Sequence, residues 1–244
     1  MLCDKGFSLS GLKKMLRNGS LFKIILKQNS KPYICYMNYL DALNWRYSVK
    51  KFDGNKIPSD KLTSILEAGR LSVSSLGLQP YHLLVVENDE TIQKLIPAFY
   101  NPSQISTCSH LIALVSKTNI TKEYVDNYFS HIINERGVTL EQLSAFRNNI
   151  NSLLETQTQK ELENWSEKQS YIVLGSLIMA AAQENIDTCP MEGFRSDILE
   201  DVLKIDKESE KIAVVLTLGY RAEDDNFQNF KKVRKPADKF IKFL

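Results

Sequence analysis

Two pairs of polar residues, far apart in the chain, carry groups that bind phosphate. Arg46 and Ser48 place a guanidinium and a hydroxyl on alternate residues of one segment, and Lys232 and Arg234 repeat this spacing near the carboxyl terminus. Such groups form charge-assisted hydrogen bonds with phosphate oxygens. The first pair is also typical of a solvated polar loop, and the second of a charged tail. Either pair alone is therefore weak evidence for an anion site.

The composition excludes several classes of protein. The chain has 244 residues, of which 43% are hydrophobic, enough for a substantial core. Four cysteines without a CxxC motif and three scattered histidines predict neither a disulfide framework nor a metal site, so a reducing cytoplasm is expected. Residues 1–36 hold seven of the 31 basic and one of the 29 acidic residues. The remainder is mildly acidic, which gives little support to nucleic-acid binding.

The basic segment 1–36 has short apolar patches without a clear period, and it is not predicted to join the core. Three interpretations remain: a targeting presequence, a flexible basic arm, or an extension that is not native, with Met37 as the true start. We favour the last, and we expect the segment to be disordered or non-native. No apolar segment of about 7 to 15 residues precedes a small-residue cleavage site, so a secretory signal is not predicted.

Residues 169–194 are predicted to form the centre of the protein, as an apolar helix that passes directly into a turn at 189–194. Residues 171–182 carry no charge, so we expect this helix to be buried on most sides. Twelve uncharged residues are too few for a membrane span, which needs about 20. Pro190 forbids helix and Gly193 permits unusual backbone angles. The helix should therefore hold an irregular peptide rigidly.

Apolar runs predict strands at residues 81–86, 109–115 and 211–220, the first of them buried. Apolar spacing predicts helices over 58–71, 91–96 and 196–203. Residues 119–164 instead show two helices with narrow apolar stripes, the second opened by a capping box of Thr139 and Gln142. This excursion is either a lid or arm, or two ordinary packing helices.

Taken together and in order, these segments resemble the FMN-dependent nitroreductase family, meaning the oxygen-insensitive nitroreductases and related NAD(P)H oxidoreductases. The resemblance covers about residues 38–240 and predicts one FMN-binding domain over 37–244. It is carried by RYSVKKF at 46–52, SS at 74–75, QPYH at 79–82, Asn101 with Gln104, KQ at 168–169, PMEGF at 190–194 and KVRKP at 232–236.

The resemblance implies an FMN site assembled from several segments. The two polar pairs fall on the family's phosphate-binding positions, and Lys50 falls where a cation stabilises negative charge on the reduced flavin. Backbone N–H groups of Glu192 and Gly193 would face flavin N5 and O4, and Asn101 would bind the pyrimidine edge. The implied cofactor-binding set is Arg46, Tyr47, Ser48, Lys50, Ser74, Ser75, Gly77, Asn101, Gln104, Gln169, Pro190, Met191, Glu192, Gly193, Lys232 and Arg234.

The family's fold and reaction are implied in the same way. The fold is α+β, a three-layer α/β/α sandwich around a mostly antiparallel sheet, in a homodimer that exchanges tails and supplies Ser74 and Ser75 from the partner subunit. NADH or NADPH would deliver hydride to flavin N5, and a nitroaromatic, quinone or similar small acceptor would then take it in a ping-pong cycle. No side chain acts as acid or base, and Lys50 and Glu192 only support the reaction.

Three departures from the family pattern keep alternatives open. Tyr47 stands where some members have histidine, Gln104 where some have lysine, and residues 76–78 replace a more polar stretch. The alternatives are a flavin-dependent reductive dehalogenase or flavin-cleaving enzyme on the same fold, and a non-catalytic flavin-binding protein.

Overall fold

A four-stranded antiparallel sheet lies at the centre of the structure, a computed structural model that describes residues 37–244. Its strands are β1 (Tyr81–Val86), β2 (His110–Lys117), β3 (Asp187–Met191) and β4 (Glu210–Gly219), in the order β1-β2-β4-β3. The expectations for residues 1–36 lie outside the described residues.

The two central strands have continuous apolar sequences because both of their faces are covered. On one face of the sheet, Leu111 and Val215 pack against helices, and on the other Ile112 and Leu216 do the same. The strands predicted at 109–115 and 211–220 are therefore confirmed.

Nine α-helices surround the sheet in the part of the chain that the structure describes. They are α1 (Tyr39–Trp45), α2 (Ser59–Arg70), α3 (Asp89–Leu95), α4 (Pro102–Thr107), α5 (Lys122–Arg136), α6 (Leu140–Glu155), α7 (Gln159–Gln183), α8 (Ser196–Leu203) and α9 (Ala237–Phe240). The predicted capping box of Thr139 and Gln142 opens α6. None of these helices combines the length and the apolar character that crossing a bilayer requires.

Helices lie on both faces of the sheet, which makes the predicted three-layer α+β sandwich. Helices α2 and α7 bury Ile65, Val173 and Leu177 on one face. Helices α3, α4 and α8 cover the other face. Neither face of the sheet is left to solvent, so the core lies in two apolar layers separated by the sheet.

Both edge strands differ from the prediction. β1, predicted to be buried, has only Val86 buried, because it pairs with β2 alone and lies at the sheet edge. Residues 189–191, predicted as part of a turn, belong to β3, the opposite edge strand. Pro190 is tolerated there because an edge strand has a ladder neighbour on one side only, so the N–H that proline lacks is not needed on the other. The irregular peptide therefore begins only at Glu192.

The long helix α7 also differs. It ends at Gln183, and Asn185 then turns the chain with a φ of 57°. Among residues 171–182 only Tyr171, Ile172 and Gly175 are exposed, so the prediction that the helix is buried on most sides holds except on one face, where Ile172 is 42% exposed and Tyr171 36%. One face packs on the sheet, and the opposite face is apolar and open.

The excursion formed by α5 and α6 has an apolar cluster of its own. Phe129 and Ile150 are fully buried in it, together with Leu78 from the loop before β1. Trp165 of α7 packs against the same cluster. The excursion is thus packed on residues 76–79 and α7, and its opening as a lid stays a prediction.

Candidate functional site

The structure brings the two predicted phosphate-binding pairs together. The Arg46 guanidinium donates a hydrogen bond to Ser48 Oγ at 3.3 Å. The Lys232 ammonium donates to the backbone carbonyls of Leu43 and Arg46, which attaches the carboxyl-terminal segment to the last turn of α1 and the loop after it. Arg234 lies close enough to lower the pKa of both Arg46 and Lys232.

No carboxylate of residues 37–244 pairs directly with this cluster. Burial lowers the pKa of Arg46 and of Lys232, and repulsion from neighbouring cations lowers both further. Among residues 37–244, none of the three cations forms an ion pair with a carboxylate, and the buried Arg46 Nε has no hydrogen-bond partner. Burial of an N–H group costs free energy when the group has no hydrogen-bond acceptor. A phosphate would supply both the missing charge and the missing acceptor, so the donor set fits one.

Arg221 and the buried Asp187 form an ion pair beside this cluster that the sequence did not reveal. The Arg221 Nε donates to both Asp187 oxygens at 2.9 and 3.1 Å, and Asp187 is 3% exposed. The guanidinium also stacks over the rings of Trp45 and Tyr47, at 4.4 and 4.8 Å from their centroids. The pair joins the start of β3 to the end of α1. Its partners are distant in sequence, so no spacing signals it.

Asp225 is a second missed residue and is 3% exposed. One oxygen, Oδ2, accepts from the N–H groups of Lys50 and Lys51 at 2.8 and 3.3 Å and from the Tyr47 hydroxyl at 3.0 Å. The other accepts from the Phe227 N–H at 3.1 Å. Burial raises the pKa of this carboxyl, but these hydrogen bonds outweigh it and leave the pKa below its usual value.

Three further predicted residues, Lys50, Asn101 and Gln104, make different contacts. The Lys50 ammonium lies 5.8 Å from the centre of the Phe227 ring. Gln104 is buried, and its amide NH2 donates to the Val49 carbonyl at 3.3 Å and to the Cys189 sulfur at 2.8 Å. Asn101 is exposed and caps α4 by accepting from Ser103 N–H. Gln104 thus fills the space between the loop and β3.

The segment after β3 is held from both sides. Pro190 and Met191 pair with β4, and the Tyr171 hydroxyl of α7 donates to the Glu192 carboxylate at 2.7 Å. Within the described range 37–244, the backbone N–H groups of Glu192 and Gly193 have no protein acceptor. Two exposed donors on a held peptide are suited to bind an acceptor atom of a ligand.

Ser74, Ser75 and Gln169 form a separate group. Ser75 N–H donates to Gln169 Oε1 at 2.8 Å, and Ser74 Oγ accepts from Gln79 N–H at 3.0 Å. No hydrogen bond or ion pair among the described residues joins this group to the Arg46 cluster. A single chain therefore divides the predicted site residues into two groups.

The loop that carries the two serines is strained. Leu76 and Gln79 have φ angles of 59° and 44°, and Gly77 has a φ of 71°. A Cβ on Gly77 would lie 2.5 Å from the Tyr128 hydroxyl oxygen, so both space and backbone favour glycine there.

A cavity of about 540 Å³ lies next to this loop. Of the predicted site residues, only Gly77 lines it.

The described residues also contain no group of three His, Cys, Asp or Glu arranged to hold a metal ion.

Comparisons with known proteins point in one direction. The family model described as "Nitroreductase family" matches residues 43–220. "Putative NAD(P)H nitroreductase YfkO" of Bacillus subtilis is 36% identical over 220 residues, 84% of this chain and 96% of that protein. A Staphylococcus haemolyticus relative with the same description is 34% identical over 218 residues, with the same coverage.

Solved structures show the same fold. A "putative NAD(P)H:FMN oxidoreductase" from Staphylococcus epidermidis superposes with a TM-score of 0.77 at 23% identity, covering 86% of this chain and 98% of that one. A "putative nitroreductase in complex with FMN" from Exiguobacterium sibiricum superposes with a TM-score of 0.75 at 22% identity, covering 85% and 98%.

Proposed function

The chain belongs to the nitroreductase family, and from that premise we propose that it is an FMN-dependent NAD(P)H oxidoreductase whose acceptors are nitroaromatics, quinones or similar small molecules. The observation that carries the proposal is the cluster of Arg46, Lys232 and Arg234, which has no carboxylate partner and retains an unpartnered buried N–H. Relatives described as NAD(P)H nitroreductases and a structural neighbour in complex with FMN support it.

In this proposal each group of the chain has a limited task. Arg46, Ser48, Lys232 and Arg234 bind the FMN phosphate by charge-assisted hydrogen bonds. Lys50 lies on the same loop and supplies positive charge toward the flavin ring. FMN bound there would supply the redox chemistry, which is hydride transfer from NADH or NADPH to the acceptor.

Other residues position the ring. The N–H groups of Glu192 and Gly193 would donate to the edge of a bound flavin, and the Tyr171–Glu192 hydrogen bond holds that peptide against α7. Asn101 supplies a further polar contact to the pyrimidine edge. Gln104 contributes through the shape of the loop, since its amide NH2 is already bonded to Val49 and Cys189.

We further propose a homodimer, working in the reducing cytoplasm, in which Ser74, Ser75 and Gln169 complete the partner's site. The open apolar face of α7 and the exposed apolar end of the chain support this, since Phe240 is 77% exposed and Phe243 93%. Truncation after Asn226 should weaken dimerisation and FMN binding together, as measured by light scattering and flavin titration. A flavin-loaded, active monomer would contradict the shared site.

Anaerobic reduction tests the reaction. The purified protein should be yellow, should lose its flavin absorbance on addition of NADH or NADPH, and should regain it with a nitroaromatic or quinone. A protein that binds no FMN would refute the proposal. Bound flavin that neither nicotinamide reduces would instead favour a non-catalytic flavin-binding protein.

A further inference from the structure

We propose that Asp225 is a positioning residue of the FMN phosphate site, whose buried carboxylate holds the loop at 46–51 and the carboxyl-terminal segment at 225–234 in register. This inference rests on the proposed function. The cations that would bind phosphate come from these two segments, Arg46 from the first and Lys232 and Arg234 from the second. Their relative position therefore decides whether one anion can contact all three.

The geometry shows Asp225 bonded to both segments at once. Its Oδ2 accepts two backbone N–H groups and the Tyr47 hydroxyl from the loop, and its Oδ1 accepts the Phe227 N–H from its own segment. The Lys232 ammonium makes a second attachment further along, to the carbonyls of Leu43 and Arg46. The carboxyl-terminal segment is thus fixed to the loop at two points, with Asp225 at the first of them.

The chemistry of this contact is selective for a carboxylate. Oδ1 and Oδ2 act only as acceptors when the group is ionised, and all four of their partners are donors. In Asp225→Asn, one oxygen becomes an NH2 group, which must face either the Phe227 N–H or the loop donors. Donor would then meet donor in a buried position, and the contact between the two segments would open.

Charge and position predict opposite effects on phosphate binding, which makes the proposal testable. A carboxylate near an anion site repels the anion, so removal of its charge alone would tighten binding. Loss of the alignment between the loop and the carboxyl-terminal segment would weaken phosphate binding instead, because the three cations would no longer converge on one anion. The sign of the change in FMN affinity therefore distinguishes positioning from a purely electrostatic role.

Asp224 provides a matched control. It carries the same charge one residue earlier, is exposed, and pairs with the Lys51 ammonium at 2.5 Å. FMN titration of the apoprotein, followed by flavin fluorescence, should show that Asp225→Asn weakens binding roughly 10- to 100-fold, whereas Asp224→Asn changes it by less than about threefold. Riboflavin, which lacks the phosphate, should lose much less affinity. Unchanged or tighter FMN binding by Asp225→Asn would overturn the proposal.

A measurement without flavin separates this inference from the proposed function. Hydrogen exchange of the full-length apoprotein should show faster exchange at the amides of Lys50 and Phe227 in Asp225→Asn, and wild-type rates in Asp224→Asn. Wild-type rates in Asp225→Asn would refute the positioning role, whether or not the protein binds FMN. Absence of FMN binding by the wild type would refute the proposed function alone.

Tyr47→Phe keeps the test decisive if Asp225→Asn does not fold. This variant removes one of the four donors and keeps the carboxylate, so FMN affinity should fall by roughly 3- to 10-fold with exchange faster at Lys50. Unchanged affinity and unchanged exchange in Tyr47→Phe would count against the proposal.

Discussion

Two regions of the molecule that carry predicted site residues are stabilised by different interactions. In the cationic region, residues 46–52 and 221–234, the first segment donates hydrogen bonds to the buried Asp225, and Arg221 of the second pairs with the buried Asp187 of β3. In the serine-loop region, residues 74–79 with α5 and α6, an apolar cluster around Phe129 is supplemented by hydrogen bonds from the Tyr124 and Tyr128 hydroxyls to loop carbonyls. The first should respond to charge and the second to side-chain volume.

The largest expected effect tests the apolar basis of the serine-loop region. Phe129 is 1% exposed, so Phe129→Ala should lower the free energy of unfolding by about 3 to 5 kcal/mol. Phe146 packs edge-on against it at 5.5 Å but is 39% exposed, and Phe146→Ala should cost less than half as much. Urea unfolding measures both. Equal losses would show that burial in this cluster does not set its stability.

A smaller effect should follow from Gly77→Ala, which tests the strained loop itself. The added Cβ would lie 2.5 Å from the Tyr128 hydroxyl oxygen, and the alanine would have to adopt a positive φ. We therefore expect the free energy of unfolding to fall by about 2 to 3 kcal/mol. Gly137 has a similar φ of 64° but open space around it, and Gly137→Ala should cost about 1 kcal/mol. If the two variants unfold at the same urea concentration, the contact with Tyr128 contributes nothing.

The cationic region should show its effect in binding more than in stability. Arg46→Ala or Arg234→Ala removes a charge-assisted hydrogen bond worth about 1.5 to 3 kcal/mol, which corresponds to a loss of FMN affinity of roughly 10- to 150-fold. Lys235→Ala, next to Arg234 but outside the predicted set, is the control. Unchanged FMN occupancy and affinity in both arginine variants would reject the phosphate assignment.

The smallest expected effect is the loss of folding stability at acidic pH that arises from Asp225. The folded-state pKa of Asp225 is lowered, because its hydrogen bonds outweigh the effect of burial. The unfolded chain therefore binds a proton at Asp225 more readily than the folded protein does. The stabilisation of the fold by the ionised carboxylate is present above the unfolded pKa of 3.8, and it is lost as the pH falls through the folded-state pKa. Urea unfolding between about pH 5 and pH 2.5 should lose stability more steeply in the wild type than in Asp225→Asn. Parallel curves would contradict this.

Much of the fold was predictable from local pattern. The continuous apolar runs of β2 and β4, and the capping box at Thr139, predict elements that the structure contains. The edge strands were not predictable in the same way, because burial of β1 and strand pairing at Pro190 depend on which neighbours the sheet provides. The open face of α7 was not predictable either, because an uncharged helix sequence does not indicate which of its sides other elements will cover.

By itself, the sequence determined the kinds of groups available: two alternate-residue pairs of phosphate-binding side chains, an apolar central helix, and a backbone turn around Gly193. Only the tertiary structure decided which of them meet. Tyr47 and Asp225 are 178 residues apart and form a partly buried hydrogen bond, and the Arg221 that pairs with Asp187 stacks over the same Tyr47 ring. Buried polar groups take whichever partner the fold brings within hydrogen-bond distance, and no local spacing encodes that choice.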